Sequence, residues 1–143
     1  MSLTLLSNSF HDGEYLDNKH SLSCDFGFGC DGQNISPELN WFGLPSGTES
    51  LVLSCYDPDA PTGSGFWHWV LVNIPISAMS IAEGASSLPK GVLETRTDFG
   101  KPGYGGPCPP EGDHPHRYIF TLFSLSVKTL PVEADTSAAV VGF

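Results

Sequence analysis

The run Ser50 to Tyr56 (SLVLSCY) sets the main constraint on the fold. It is apolar at nearly every position and rich in β-forming residues, so it predicts a strand buried on both faces. His68 to Ile74 (HWVLVNI) is a second run of this kind. Arg117 to Val127 (RYIFTLFSLSV) is the third and longest. Strand alternation puts its Ile119, Phe123, Leu125 and Val127 on one face and Tyr118, Phe120 and Leu122 on the other. The connecting stretches are rich in turn formers. Between Gly100 and Pro115 (GKPGYGGPCPPEGDHP), ten of sixteen residues are Gly or Pro, which neither a helix nor a central strand tolerates. One helix is predicted, Ala134 to Val141, with Asp135 or Thr136 as its cap. Together these patterns predict a mainly β domain with a sheet or sandwich core and little helix.

The 143 residues suit a single domain, 1–143, large enough to fold without covalent staples. Six Lys and Arg against sixteen Asp and Glu give a net charge of -10. That balance argues against nucleic acid, whose binding needs a clustered basic face, and against an anionic membrane surface. No apolar run approaches the ~18 residues of a membrane-spanning helix, so no membrane insertion is expected. Met1 to Phe10 lacks the charged and apolar regions of a secretory signal, which points to a cytoplasmic location. Cys24, Cys30, Cys55 and Cys108 show no C-x-x-C spacing, so no structural zinc is expected. They read as buried or idle thiols, and a Cys24–Cys30 bridge would find no compartment to support it.

Polar residues stand at the ends of all three apolar runs. Asp57-Pro58-Asp59-Ala60-Pro61 follows the first, His68 opens the second, and His114-Pro115-His116-Arg117-Tyr118 opens the third. Strand ends are where side chains converge on clefts. Each group also has a plainer reading. Asp-Pro-Asp-Ala-Pro is good turn chemistry. His68, on a face shared with Val70 and Val72, suits a satisfied core histidine. His114 and His116 have the spacing of strand-borne metal ligands, although Pro115 between them argues against that use. Collectively the residues supply carboxylates, imidazoles, a guanidinium and a phenol beside a loop able to present backbone N–H groups. That inventory fits a small-anion site, and equally acid–base chemistry. No Ser or Cys lies in a recognisable nucleophile motif.

The run CYDPDAPTGSGFWHWVLVNIP (Cys55 to Pro75) resembles the signature of the phosphatidylethanolamine-binding protein family, also called Raf kinase inhibitor proteins. HPHRYIFTLFSL (His114 to Leu125) resembles its second motif. GQNISPELNW (Gly32 to Trp41) and GVLETRTDFGKPGYGGPCPP (Gly91 to Pro110) are similar to the bacterial and archaeal branch. The resemblance implies two antiparallel sheets, one or two short helices and a small pocket for anions such as phosphate or the phosphoethanolamine head group. It implies ligand-binding roles for Asp57, Asp59, Pro61, His68, Pro109, Pro110, His116 and Tyr118. It implies a protein partner, a kinase or a protease, for some members. It also implies that the family continues beyond Val141 to Phe143 with a helical turn and a last strand, so the chain reads as shorter at that end.

Within this site Asp57 is expected to accept a hydrogen bond from His68. Backbone N–H groups near Gly106 to Pro110, and the Tyr118 hydroxyl, would hold the anion. Arg117 would face away and pair with Asp98 or Asp59. The expected function is binding of a small anion or phosphorylated ligand, with no catalytic residue, resident metal or cofactor. The alternative is a hydrolase using Asp57, Asp59, His68 and His116, with or without a metal.

Overall fold

The computed structural model describes residues 2–85 and 87–143. Among the described residues, seven strands form two antiparallel sheets. The strands are β1 (Thr4–Leu6), β2 (Leu39–Phe42), β3 (Ser50–Asp57), β4 (Phe66–Pro75), β5 (Ser80–Ile81), β6 (Leu93–Glu94) and β7 (Ile119–Leu125). One sheet has the order β1-β2-β5 and the other β6-β4-β3-β7. Two single-turn 3-10 helices, at Asn18–His20 and Cys24–Phe26, and one short α-helix, α1 (Ala138–Gly142), complete the chain.

The two strongest apolar runs become the central strands β3 and β4, and both are buried on both faces. One face carries Leu51, Leu53, Cys55, Trp69 and Leu71, packed with Leu39 and Trp41 of the smaller sheet. The opposite face carries Val52, Val70 and Val72, covered by Ala138 and by Leu130, Val132 and Val141. Burial of both faces is the reason these strands show no polar alternation.

The split along β7 follows the pleat. Tyr118, Phe120 and Leu122 pack on the inter-sheet core, and Ile119 and Phe123 lie exposed. The predicted helix is shorter than its apolar pattern suggested. It starts only at Ala138, and neither Asp135 nor Thr136 caps it. The Ser137 hydroxyl accepts from the Val140 N–H at 3.3 Å, while the Thr136 hydroxyl closes the preceding turn on Glu133 N.

The cysteines correct a second expectation. Cys30 and Cys108 form a disulfide across 78 positions, and only Cys24 and Cys55 are free thiols. Sequence spacing cannot reveal such a pair, because the fold alone brings the two loops together. Among the described residues, no helix is long and apolar enough to cross a membrane.

Candidate functional site

Antiparallel pairing gathers the three polar strand ends at one end of the larger sheet. Asp57 closes β3 opposite Phe66, the first residue of β4, and Tyr56 pairs with Ile119 at the start of β7. A register shift then re-aims His68. Cys55 faces Trp69 but Tyr56 faces Trp67, which leaves His68 as the extra residue of a bulge. The imidazole is therefore not on the Val70 and Val72 face expected from plain alternation. It lies edge-on to Tyr118, ring centroids 5.3 Å apart, and against Phe66 and Phe99.

These side chains line a cavity of about 190 Å3. Asp57, Pro61, His68, Pro110, His116 and Tyr118 all contribute to its wall. Asp59 and Pro109 do not. Asp59 is held outside by Arg117, which donates to it from Nε at 3.0 Å, from Nη2 at 2.9 Å and from its backbone N–H at 2.7 Å. The guanidinium keeps the Asp59 carboxyl well below the usual carboxylate range. Of the two partners foreseen for Arg117, the structure selects Asp59; Asp98 instead accepts from Trp67 N at 2.7 Å. Pro109 is exposed beside Pro110.

The expected bond from His68 to Asp57 is absent. Asp57 Oδ2 pairs with His116 Nδ1 at 2.8 Å, and Asp57 Oδ1 accepts from Asp59 N at 2.8 Å, closing the Asp-Pro-Asp turn. The turn reading of Asp57 thus holds through Oδ1, and the same residue lines the cavity. His116 Nε2 is taken by Asp113 at 2.5 Å. The His116 side chain is 2% exposed. Burial pulls its pKa down, but the hydrogen bonds to Asp113 and Asp57 outweigh that and raise it.

His68 is anchored differently. Its Nδ1 donates to the Gly105 carbonyl at 2.7 Å. Burial lowers its pKa against the opposing pull of that carbonyl and of Asp57. The Tyr118 hydroxyl is buried without a partner among the described residues, and burial also raises its pKa.

The backbone donors are fewer than expected. Gly105 N donates to His68 O at 3.0 Å, and Gly106 N to Asn34 Oδ1 at 2.8 Å. Pro107, Pro109 and Pro110 have no N–H. Among the described residues, the Cys108 amide is the one N–H from 105 to 110 without a partner inside the chain, and Cys108 lines the cavity. Sequence reasoning missed Asn34, Asp113 and the aromatic wall of Phe28, Phe66 and Phe99. Only Asp113 carried a visible signal, standing three residues before His116. Among the described residues, no group of three or more His, Cys, Asp or Glu is arranged to hold a metal ion. Both His116 nitrogens are engaged by Asp57 and Asp113.

A family model described as phosphatidylethanolamine-binding protein matches residues 6–143. The chain belongs to the phosphatidylethanolamine-binding protein family. The UPF0098 protein YbhB of Escherichia coli (strain K12) is 50% identical over 145 residues, covering 99% of this chain and 89% of YbhB. The UPF0098 protein YbcL of the same organism is 46% identical, covering 96% of this chain and 76% of YbcL. The crystal structure of E. coli YbcL, titled a new member of the mammalian PEBP family, superposes with a TM-score of 0.93 at 44% identity, covering 99% of this chain and 88% of that one. A putative phosphatidylethanolamine-binding protein homologue from Chlamydia trachomatis, CT736, gives 0.80 at 28% identity, covering 99% and 86%. Membership accounts for the spacing of the two motifs: they are the β3–β4 hairpin and the lead into β7, the segments that build the cavity.

Proposed function

We propose that this phosphatidylethanolamine-binding protein family member binds a small anionic or phosphorylated group in the cavity between Asp57, His68, Cys108 and Tyr118. The observation that carries this reading is a buried, unused hydroxyl, that of Tyr118, beside an unpaired amide of a cavity-lining residue, Cys108. The Tyr118 hydroxyl and the Cys108 amide have no partner in the chain among the described residues. A buried polar group without a partner costs about 1–3 kcal/mol, so a ligand that satisfies it gains that difference. The cavity has room for a head group but not for acyl chains.

The hydrolase reading loses one of its two imidazoles on geometry. His116 has both ring nitrogens occupied by carboxylates, which leaves it no free lone pair for general-base work.

Amide-shift NMR with O-phosphoethanolamine and with inorganic phosphate tests the binding reading. Saturable shifts should cluster at Asp57, His68 and residues 106–118, and should weaken in Tyr118→Phe. Diffuse shifts that scale with salt would refute it. Location bears on the site through the disulfide. In the cytoplasm expected from the sequence, thiols are kept reduced and the Cys108 amide would be less firmly held; an oxidising compartment would keep the bridge closed.

A further inference from the structure

The tautomer of His68 constrains the anion itself. A carbonyl oxygen only accepts, so the 2.7 Å bond to Gly105 O places the hydrogen on Nδ1. In the neutral ring Nε2 is then a bare lone pair. Among the described residues Nε2 makes no hydrogen bond within the chain; the Gly106 carbonyl acts on the ring more weakly than that of Gly105, and the ring belongs to the cavity wall. His68 is 5% exposed and packed against Phe66, Phe99 and Tyr118, surroundings that disfavour a charged imidazole. The Tyr118 hydroxyl and the Cys108 amide offer the opposite polarity, since both can donate.

The charges around His68 point the same way. Asp57 from β3 and Asp98 from the loop after β6 both act on it, and both are acidic. His116 ahead of β7 is spoken for by Asp57 and Asp113, and Arg117 by Asp59. Lys101 stands over the Phe26 ring, 4.4 Å from its centroid. Among the described residues no lysine or arginine lines the cavity and both His116 nitrogens are taken, so a doubly charged anion there would meet Asp57 and no free cationic N–H. An anion that retains one acidic hydroxyl would find an acceptor for that hydroxyl and donors for its other oxygens.

We propose that the cavity takes a phosphomonoester in its protonated, singly charged form, with the ligand hydroxyl donating to His68 Nε2 and other ligand oxygens accepting from Tyr118 Oη and the Cys108 amide. This rests on the reading of the cavity as an anion site and adds the protonation state of its ligand. A phosphomonoester that arrives as the dianion binds together with one proton from solvent, shared between the ligand oxygen and His68 Nε2. Sulfate has no acidic hydroxyl in the neutral range, so its binding must charge His68 and is weaker.

Isothermal calorimetry with methyl phosphate, from pH 5.5 to 8.5 in two buffers of different protonation enthalpy, tests this. A phosphomonoester loses its second proton near pH ~6. Affinity should therefore fall about tenfold per pH unit above pH ~7, with proton uptake rising toward one per ligand. Sulfate at pH 7 should bind less tightly than methyl phosphate. In 15N spectra, saturation with methyl phosphate should move the His68 Nε2 resonance from the bare toward the hydrogen-bonded range. Constant or rising affinity with pH, no proton uptake, or a proton that appears on His116 instead would overturn the inference and leave the anion site standing. No binding of either anion at any pH would remove both.

Discussion

His116 illustrates how a single imidazole in a cavity wall can be structural. Asp57 and Asp113 hold its two nitrogens, and the hydrogen bonds raise its pKa against the burial that would lower it. The contribution of His116 to stability is complete below its unfolded pKa, about 6.5, and is lost as pH rises through the higher folded value. Asp113 is shifted down by the same pair, so its contribution holds above about pH 3.9 and is lost as pH falls through its lower folded value. The pair therefore stabilises most between those limits. His68 has the opposite sign: its folded form resists protonation, so it costs stability as pH falls from about 6.5 toward its depressed value. NMR titration should find His116 above and His68 below the ordinary histidine value. In thermal melts, the deficit of His116→Gln against the parent should be largest near pH 5 and shrink by pH 8. Asp57→Ala removes a buried partner of His116 and the acceptor of the 57–59 turn, and should cost about 3 kcal/mol in urea titrations near pH 6. A cost below ~1 kcal/mol would mean that Asp113 alone suffices for His116.

At the scale of elements, the site depends on how the Gly- and Pro-rich segment 100–115 is pinned to the sheet. Asn34 grips it twice, donating to Tyr104 O at 2.9 Å and accepting from Gly106 N at 2.8 Å. The Tyr104 hydroxyl donates to His20 O at 2.8 Å, and Gly105 pairs with His68 in both directions, through its N–H and its carbonyl. Gly106 lies so close to the 20–22 segment that a Cβ would stand 2.0 Å from His20 O. Gly106→Ala must therefore push the loop outward. We expect a stability loss of about 1–3 kcal/mol and at least partial loss of the phosphate-induced shifts at Cys108. Retention of parent-like shifts at Cys108 would show that the amide is not set by this contact. The sequence announced β3, β4 and β7, because strands packed on two faces leave an unbroken apolar record. It was silent on β1, β2, β5 and β6, which span only two to four residues each and have too little length for a period to develop. The polar strand ends were legible as a group, yet their pairing was not. One bulge residue exchanged the expected His68–Asp57 bond for His116–Asp57, and a bulge leaves no mark in composition or alternation.

At the scale of the whole molecule, the Cys30–Cys108 disulfide joins an N-terminal loop to the far wall of the cavity. The 78-residue separation closes a long loop, so the bridge restricts the unfolded chain strongly, by about 4.5 kcal/mol on the loop-entropy relation. Its effect on the cavity is more local. Cys108 supplies the unpaired amide, and the prolines around it cannot substitute as donors. The remaining site parts are held elsewhere: His68 by the β3–β4 pairing and Gly105, Tyr118 by its entry into β7. Opening the bridge should therefore separate two properties of the protein. Cys30→Ser should lower unfolding stability by about 2–4 kcal/mol and weaken phosphate binding, while the His68 and His116 resonances of the unliganded protein stay close to the parent's. The parent treated with a reductant should behave in the same way, and thiol labelling should then find Cys30 and Cys108 reactive in addition to the exposed Cys24. If affinity is unchanged after reduction, the amide is positioned by Asn34 and the Gly106 contact alone, and the bridge serves stability only. If the histidine resonances collapse together with affinity, the cavity is not assembled from independently anchored walls, and the bridge is needed for the sheet end as a whole.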